Sequence, residues 1–374
     1  MTRERAAGFG LAALFLGMVW HWEPGFVEAS IQDWVFLYAL AFVSLIWIKP
    51  ERDWVTYGLI AFGTYAGLSL LWSPDHAQGI SQFVKLVTLI VICLAGRQLG
   101  ARWLPWAAVL SLPIVIFNGW WGGFGNENFE TEFLILLVPW FLIAPIWVGL
   151  PALLVCLGLL IDNPSRIEFF VAYGLIGLWL ARRRWWGGLV AWLALPLFVL
   201  AWAPDAVWPL ISDSVLARAE LWIDSSYVWL QNPIFGTGLG GFNYTYPLYG
   251  SEHLRFFDRT EIVFGRHAGA AHNDWLQLLA ELGVAGLCLS LISLRRVFHS
   301  GPAALTVILI GFEMCLEFPA QMPVTAFLGA YCLGVALSSS SQAFCTWECL
   351  NIARSVTSAW RSSRWTPSRS RPSH

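Results

Sequence analysis

In the run Ala271-His-Asn-Asp-Trp-Leu-Gln-Leu-Leu-Ala-Glu281-Leu-Gly283, a polar cluster passes directly into an apolar segment. An imidazole titrates near pH 6.5 or so, within reach of neutrality, so His272 at a membrane surface suits proton transfer to or from a lipid-borne substrate. Arg166 and Arg218 stand on the same side of the apolar runs, and planar guanidinium groups bind phosphate oxygens bidentately without losing their charge. Asn128, Glu130 and Glu132 offer hydrogen-bonding groups for sugar hydroxyls or for Arg166, and Asn128 is equally placed to cap a helix. His253 and His267 precede His272 in the same polar stretch, and either has the chemistry of a base. Each arginine also fits a plainer role, snorkelling to lipid headgroups, and His272 fits one as a helix cap.

These residues must be held by apolar elements. Hydrophobic residues make up 57% of the 374-residue chain and charged residues 12%, and the mean hydropathy is +0.61. That balance is far from a soluble domain's and implies a polytopic, all-α membrane protein. The net charge of -2 offers no basic field for nucleic acid, which is not an expected partner, and the 24 Trp suit the membrane interfaces. A span needs about 20 apolar residues, and about twelve runs qualify, near 6–22, 33–48, 54–72, 82–97, 103–118, 131–147, 149–161, 167–181, 187–203, 272–292, 302–317 and 321–338. The seventh, bordered by Pro145 and containing Pro151, is expected to be tilted or fused to its neighbour as a broken hairpin. Residues 1–22 lack a small-x-small cleavage site before Trp20-His-Trp22 and are taken as a first span instead of a secretory signal.

Basic residues collect in cytoplasmic loops. Arg3 and Arg5, Lys49 and Arg52, Arg97 and Arg102, Arg182-Arg183-Arg184, Arg295 and Arg296, and the Arg-rich tail after Asn351 all fall on one side of a twelve-span order, with both termini cytoplasmic. Arg166 and the arginines of the 204–271 loop break the bias on the other side, which singles them out. The expected organisation is a transmembrane domain over 1–338, with an extracytoplasmic loop at 204–271, followed by a disordered basic tail over 339–374. None of the seven cysteines lies in the long loop, so no disulfide framework is implied, and Cys345-x-x-x-Cys349 lacks the partners of a zinc site.

The 204–271 loop is too long for a plain connector. Apolar residues at Val215, Leu216, Ala219, Trp222, Ile223, Val228 and Trp229 predict an amphipathic helix over Ser214 to Gln231, lying along the membrane interface. Gly236-Thr-Gly-Leu-Gly-Gly-Phe242 follows as an irregular turn. It fits the letters of a dinucleotide fingerprint, yet neither a strand nor a βαβ unit surrounds it. A tight turn that lets backbone approach a helix or a glycan is the expected reading.

Taken in order, these features resemble the O-antigen ligase and O-antigen polymerase superfamily, membrane glycosyltransferases that use polyprenyl-diphosphate-linked glycans. The matching pieces are Gly125-Asn-Glu-Asn128, Ser165-Arg166, Arg218-x-x-x-Trp222, the run Asn232 to Phe242, His272-Asn273 followed by Glu281-Leu-Gly283, and Glu317-Phe-Pro319. They extend over residues 120–325. The Arg218-x-x-x-Trp222 motif ends in Trp where the family has Leu.

The resemblance implies a bacterial inner-membrane enzyme with its active site on the extracytoplasmic face. Arg166 and Arg218 would recognise the diphosphate, His272 would accept the acceptor's proton, and Asn128, Asn273, Glu281 and Gly238 would contact substrate. Displacement at the anomeric carbon would invert it. No cofactor is implied, and no metal is required where arginines neutralise the leaving group. The donor would be a polyprenyl-diphosphate-linked glycan and the acceptor a lipid A core, a growing glycan or a protein residue, which leaves ligase, polymerase and protein O-oligosaccharyltransferase readings open. On an unbroken helix Glu281 lies about two and a half turns from His272 and faces nearly the opposite side, so an interior partner is expected for it. A secondary transporter would show similar halves and midplane charges, and a non-catalytic lipid-binding scaffold would keep the arginines without needing His272.

Overall fold

A computed structural model describes residues 3–20, 26–121, 127–162, 171–177, 190, 209–253, 271–294, 301–316 and 319–338. Every described element is helical, and helices occupy each apolar run that falls within these residues: α1 Arg3–Trp20, α2 Phe26–Trp47, α3 Trp54–Ser69, α4 His76–Leu99, α5 Leu104–Trp121, α6 Glu127–Phe141, α7 Ile146–Asp162, α8 Pro209–Gln231, α9 Phe242–His253, α10 Asp274–Leu294, α11 Pro302–Glu313 and α12 Pro323–Leu337. Among the described residues, α4 and the Asp274–Ile292 part of α10 have the length and hydropathy to cross a membrane. Shorter apolar helices include Trp147–Leu160, Pro302–Glu313 and Pro323–Leu337. The seventh run forms α7, which packs on α6 after the turn 142–145 and keeps Pro151 inside it. Most of the eighth and ninth runs and the 339–374 tail lie outside the described residues.

The core is built around α6. Phe133 to Val138, Trp140 and Phe141 are buried, a stretch apolar on all sides and therefore surrounded on all sides. Phe15 of α1, Phe133 and Phe327 of α12 form one aromatic cluster there. The main partner of α12 is α4, and small residues set their separation. A Cβ on Gly334 would stand 1.9 Å from the Cys93 carbonyl oxygen, and one on Gly96 would stand 2.3 Å from that of Tyr331. Between apolar helices in lipid, such close backbone approach replaces the hydrophobic driving force available in water.

The C-terminal end of α4 is fixed by charge. Arg97 is buried and grips Asp53, the N-cap of α3, through both guanidinium nitrogens at 3.1 and 2.7 Å. It also donates to Thr56 Oγ1 and Glu51 Oε2, each at 2.9 Å. The fork geometry suits a carboxylate, and a cation at a helix C-terminus complements the helix dipole.

The helix α10 is broken at Gly283, whose φ of 65° and ψ of -171° are not helical. Glycine is required twice over. The left-handed φ disfavours a side chain, and a Cβ would lie 2.2 Å from the Ile234 carbonyl oxygen. A break within an apolar helix leaves N–H and C=O groups that lipid cannot satisfy, so protein must supply their partners.

The Arg97 guanidinium holds the Asp53 carboxyl down to about 2. Because that carboxyl is depressed in the folded state, the pair's stabilisation is complete above the unfolded value of about 3.9 and lost as pH falls through about 2. Arg97→Met is expected to lower stability by about 2 kcal/mol at pH 6, since it strips the charged hydrogen bonds between a buried guanidinium and a part-buried carboxylate. It should also flatten the acid limb of the melting curve in detergent. Wild-type melting by Arg97→Met both at pH 6 and along the acid limb would remove this clamp from the account.

Candidate active site

The loop 232–241 joins α8 to α9 and supplies what the break in α10 lacks. Thr237 N–H donates to the Ala280 carbonyl and Gly238 N–H to that of Glu281, both at 2.9 Å. In return, Val284 N–H donates to Pro233 O at 2.9 Å and Ala285 N–H to Ile234 O at 3.1 Å. The Leu282 carbonyl, also freed by the break, accepts the Tyr65 hydroxyl of α3 at 2.8 Å. Loop and broken helix thus complete one another's backbone bonding.

On its other face the loop rests on the corner between α3 and α4. Leu239 N–H donates to Ser69 Oγ at 3.1 Å, and Ser73 Oγ donates to the Leu239 carbonyl at 2.9 Å. A Cβ on Gly238 would stand 2.6 Å from Ser73 Cα. The described neighbours of this turn are the corner between α3 and α4 and the break in α10. Gly238 is buried, with its N–H on Glu281 O.

Glu281 secures the loop a second time. Its buried carboxylate accepts Gly240 N–H at 2.9 Å through Oε2 and Gln277 Nε2 at 3.2 Å through Oε1, with Phe242 N–H also bonded to it. An acceptor at the start of α9 satisfies N–H groups the helix cannot pair itself. The interior partners of Glu281 are therefore the glycine loop and its own helix neighbour.

His272 precedes α10 and adopts a φ of 45°, left-handed backbone that non-glycine residues seldom take. Its carbonyl accepts the indole N–H of Trp222 at 3.0 Å. Trp222 follows Arg218 by one turn on α8, so both project from the same face, and Arg218 is half-buried. The structure thereby brings the arginine-bearing face of α8 to the His272 segment. Asn273 is the helix cap. Its Oδ1 accepts Leu276 N–H and its Nδ2 donates to Cys315 O, each at 2.9 Å.

Behind His272 a polar network crosses to the turn Pro319–Gln321. Asp274 accepts Ala320 N–H at 2.9 Å and Gln321 Nε2 at 3.3 Å, while Gln277 Oε1 accepts Gln321 Nε2 at 2.9 Å and Ala271 N–H at 3.3 Å. Gln321 and Tyr65 were not selected by sequence reasoning, which had no signal for partners so distant along the chain, and Gln277 was passed over although its spacing of four from Glu281 places the two on one helix face. Trp222 was read as an apolar position of the amphipathic helix and as a departure from a pattern, not as a partner of His272. Asn128 lies in the first turn of α6, and His253 is the last residue of α9. Arg166, His267 and Glu317 lie outside the described residues. The helix predicted over Ser214 to Gln231 begins earlier, at Pro209, a residue preorganised for a first helical position.

Comparison with protein families matches residues 151–291 to a family described as O-antigen ligase. The matched segment contains Arg166, Arg218, Gly238, His272, Asn273 and Glu281, and excludes Asn128. It supports the resemblance drawn from the motifs, and with it a membrane protein of lipopolysaccharide or polysaccharide biosynthesis with glycosyltransferase-like activity. A search of curated proteins finds no match.

The contacts of Glu281 predict the behaviour of Glu281→Gln. The amide turns an N–H toward a donor in place of an acceptor, so stability should fall by about 1–3 kcal/mol. Melting in detergent should drop while the donor KM of the surviving folded protein stays within about twofold. An unchanged melting temperature with a raised donor KM would instead make Glu281 a substrate ligand.

Proposed function

From the O-antigen ligase domain carried by residues 151–291, we propose that the protein transfers a glycan from a polyprenyl diphosphate to an acceptor on the extracytoplasmic face. The observation that carries this reading is the 3.0 Å bond from Trp222 to the His272 carbonyl. It ties the helix bearing Arg218 to the segment bearing His272, so an anion-binding group and a proton acceptor share one locality.

The chemistry follows from those two groups. His272 takes the proton of an acceptor hydroxyl as its oxygen attacks the anomeric carbon. The bond from that carbon to the diphosphate oxygen breaks, the carbon inverts, and the polyprenyl diphosphate leaves with one negative charge more than the about two it carried in the donor. Arg218, joined by Arg166 on the sequence argument, stabilises that charge as it develops on the leaving group. The imidazolium then returns its proton to water. Guanidinium neutralisation makes the transfer metal-independent. An O-antigen ligase reaction, with a lipid A core as acceptor, is the form proposed, within a twelve-span bundle whose termini are both cytoplasmic.

The test is transfer by purified protein under metal chelation, offering a lipid A core, a polyprenyl-linked glycan and a protein acceptor in parallel. Wild type is expected to modify the lipid A core. His272→Ala should lose about 100-fold or more in kcat, the scale of a positioned general base, and Arg218→Ala should lose both turnover and donor affinity. Modification of the glycan or the protein acceptor alone would move the assignment to polymerase or protein glycosylation. A folded His272→Ala as active as wild type would end the base assignment. Donor binding with no acceptor ever modified would favour a scaffold or a transporter.

A further inference from the structure

The backbone of His272 is held from both sides. Before it, Ala271 N–H donates to Gln277 Oε1 at 3.3 Å, and after its Cα, its own carbonyl accepts Trp222 Nε1 at 3.0 Å. Between these bonds sits a non-glycine residue with a φ of 45°. Such a conformation disfavours an L side chain and persists only where surrounding contacts over-determine it. Those contacts are rigidly based. Gln277 is buried, with its amide bonded in turn to Gln321 and Glu281. The backbone of Trp222 belongs to α8, whose packing residues Leu221 and Val228 are buried against Phe242, Tyr246 and Ala280.

We propose that Trp222 and Gln277 are positioning residues that clamp the backbone on either side of His272, at the His272 carbonyl and at the Ala271 N–H, and so aim its imidazole for proton transfer. The proposal rests on His272 being the base. A group displaced by about 1 Å from its productive geometry loses on the order of 100-fold in rate, so loosening one of two bonds should register in turnover first. Trp222 is the cleaner probe. Trp222→Phe removes the indole N–H while retaining an aromatic side chain on α8.

In purified protein, Trp222→Phe is expected to lower kcat about tenfold, leave the donor KM within about twofold, and leave detergent melting unchanged. Carbethoxylation of His272, followed by mass spectrometry, should accelerate about threefold or more as the segment loosens, while that of the exposed His76 stays at the wild-type rate. A merely structural tryptophan would lower melting and alter both histidines alike. Wild-type kcat and wild-type His272 labelling in Trp222→Phe would overturn the clamp even where His272→Ala is inactive. Full activity of His272→Ala would instead overturn the function on which it rests. Should Trp222→Phe fold poorly, hydrogen exchange of the wild-type protein decides. An Ala271 amide protected about 100-fold or more upholds the clamp, and exchange at the unfolded rate overturns it.

Discussion

A break in the backbone of an apolar helix governs this structure. Lipid offers no partner for a freed N–H or C=O, so the interruption at Gly283 of α10 can exist only where protein completes the bonding. The loop 232–241 does so through Thr237, Gly238, Pro233 and Ile234, and Tyr65 of α3 takes the Leu282 carbonyl. Once that loop is fixed, so are the helices it joins. The α8 helix ends where the loop begins and α9 begins where it ends, which places Trp222 against the His272 segment. The site geometry is in this sense a by-product of repairing a helix.

The α4 helix serves as the strut between that site and the opposite end of the bundle. Near its first turns it receives the glycine loop, where Gly79 lies under Leu239. Near its last turns it receives α12 at Gly96 and binds Asp53 and Glu51 through Arg97. Backbone contact through small residues and a charged fork hold it at several points, in surroundings where burying more apolar surface would add little.

The helical frame was legible because long apolar runs admit few alternatives in a membrane. The α8 helix was legible from its apolar spacing, and its C-terminal end from Gln231-Asn-Pro. The α9 helix was not, since Tyr244, Thr245 and Pro247 carry little helical preference and the helix relies on Glu281 at its start. Nor was the break, because Glu281-Leu-Gly283 continues the apolar period and a positive φ leaves no trace in periodicity. Asn273 was read as a substrate group although Asn directly before an acidic first turn and an apolar run is the ordinary sign of a helix cap. Trp222 could not have been paired with His272 without coordinates, since its indole bonds to a carbonyl, and every residue has one.

Tyr65 and Leu282, joined by one hydroxyl, stand 217 positions apart in the chain. In a growing polypeptide α3 and α4 therefore exist long before the element they must complete, and α10 enters the bilayer carrying a defect that only earlier segments can mend. Contacts of such span form slowly, because a long loop has to close before any of them is rewarded. The region around the break is thus complete only once α3, α4, the 232–241 loop and α10 have all come together. Until they do, α10 carries backbone N–H and C=O groups that lipid leaves unpaired.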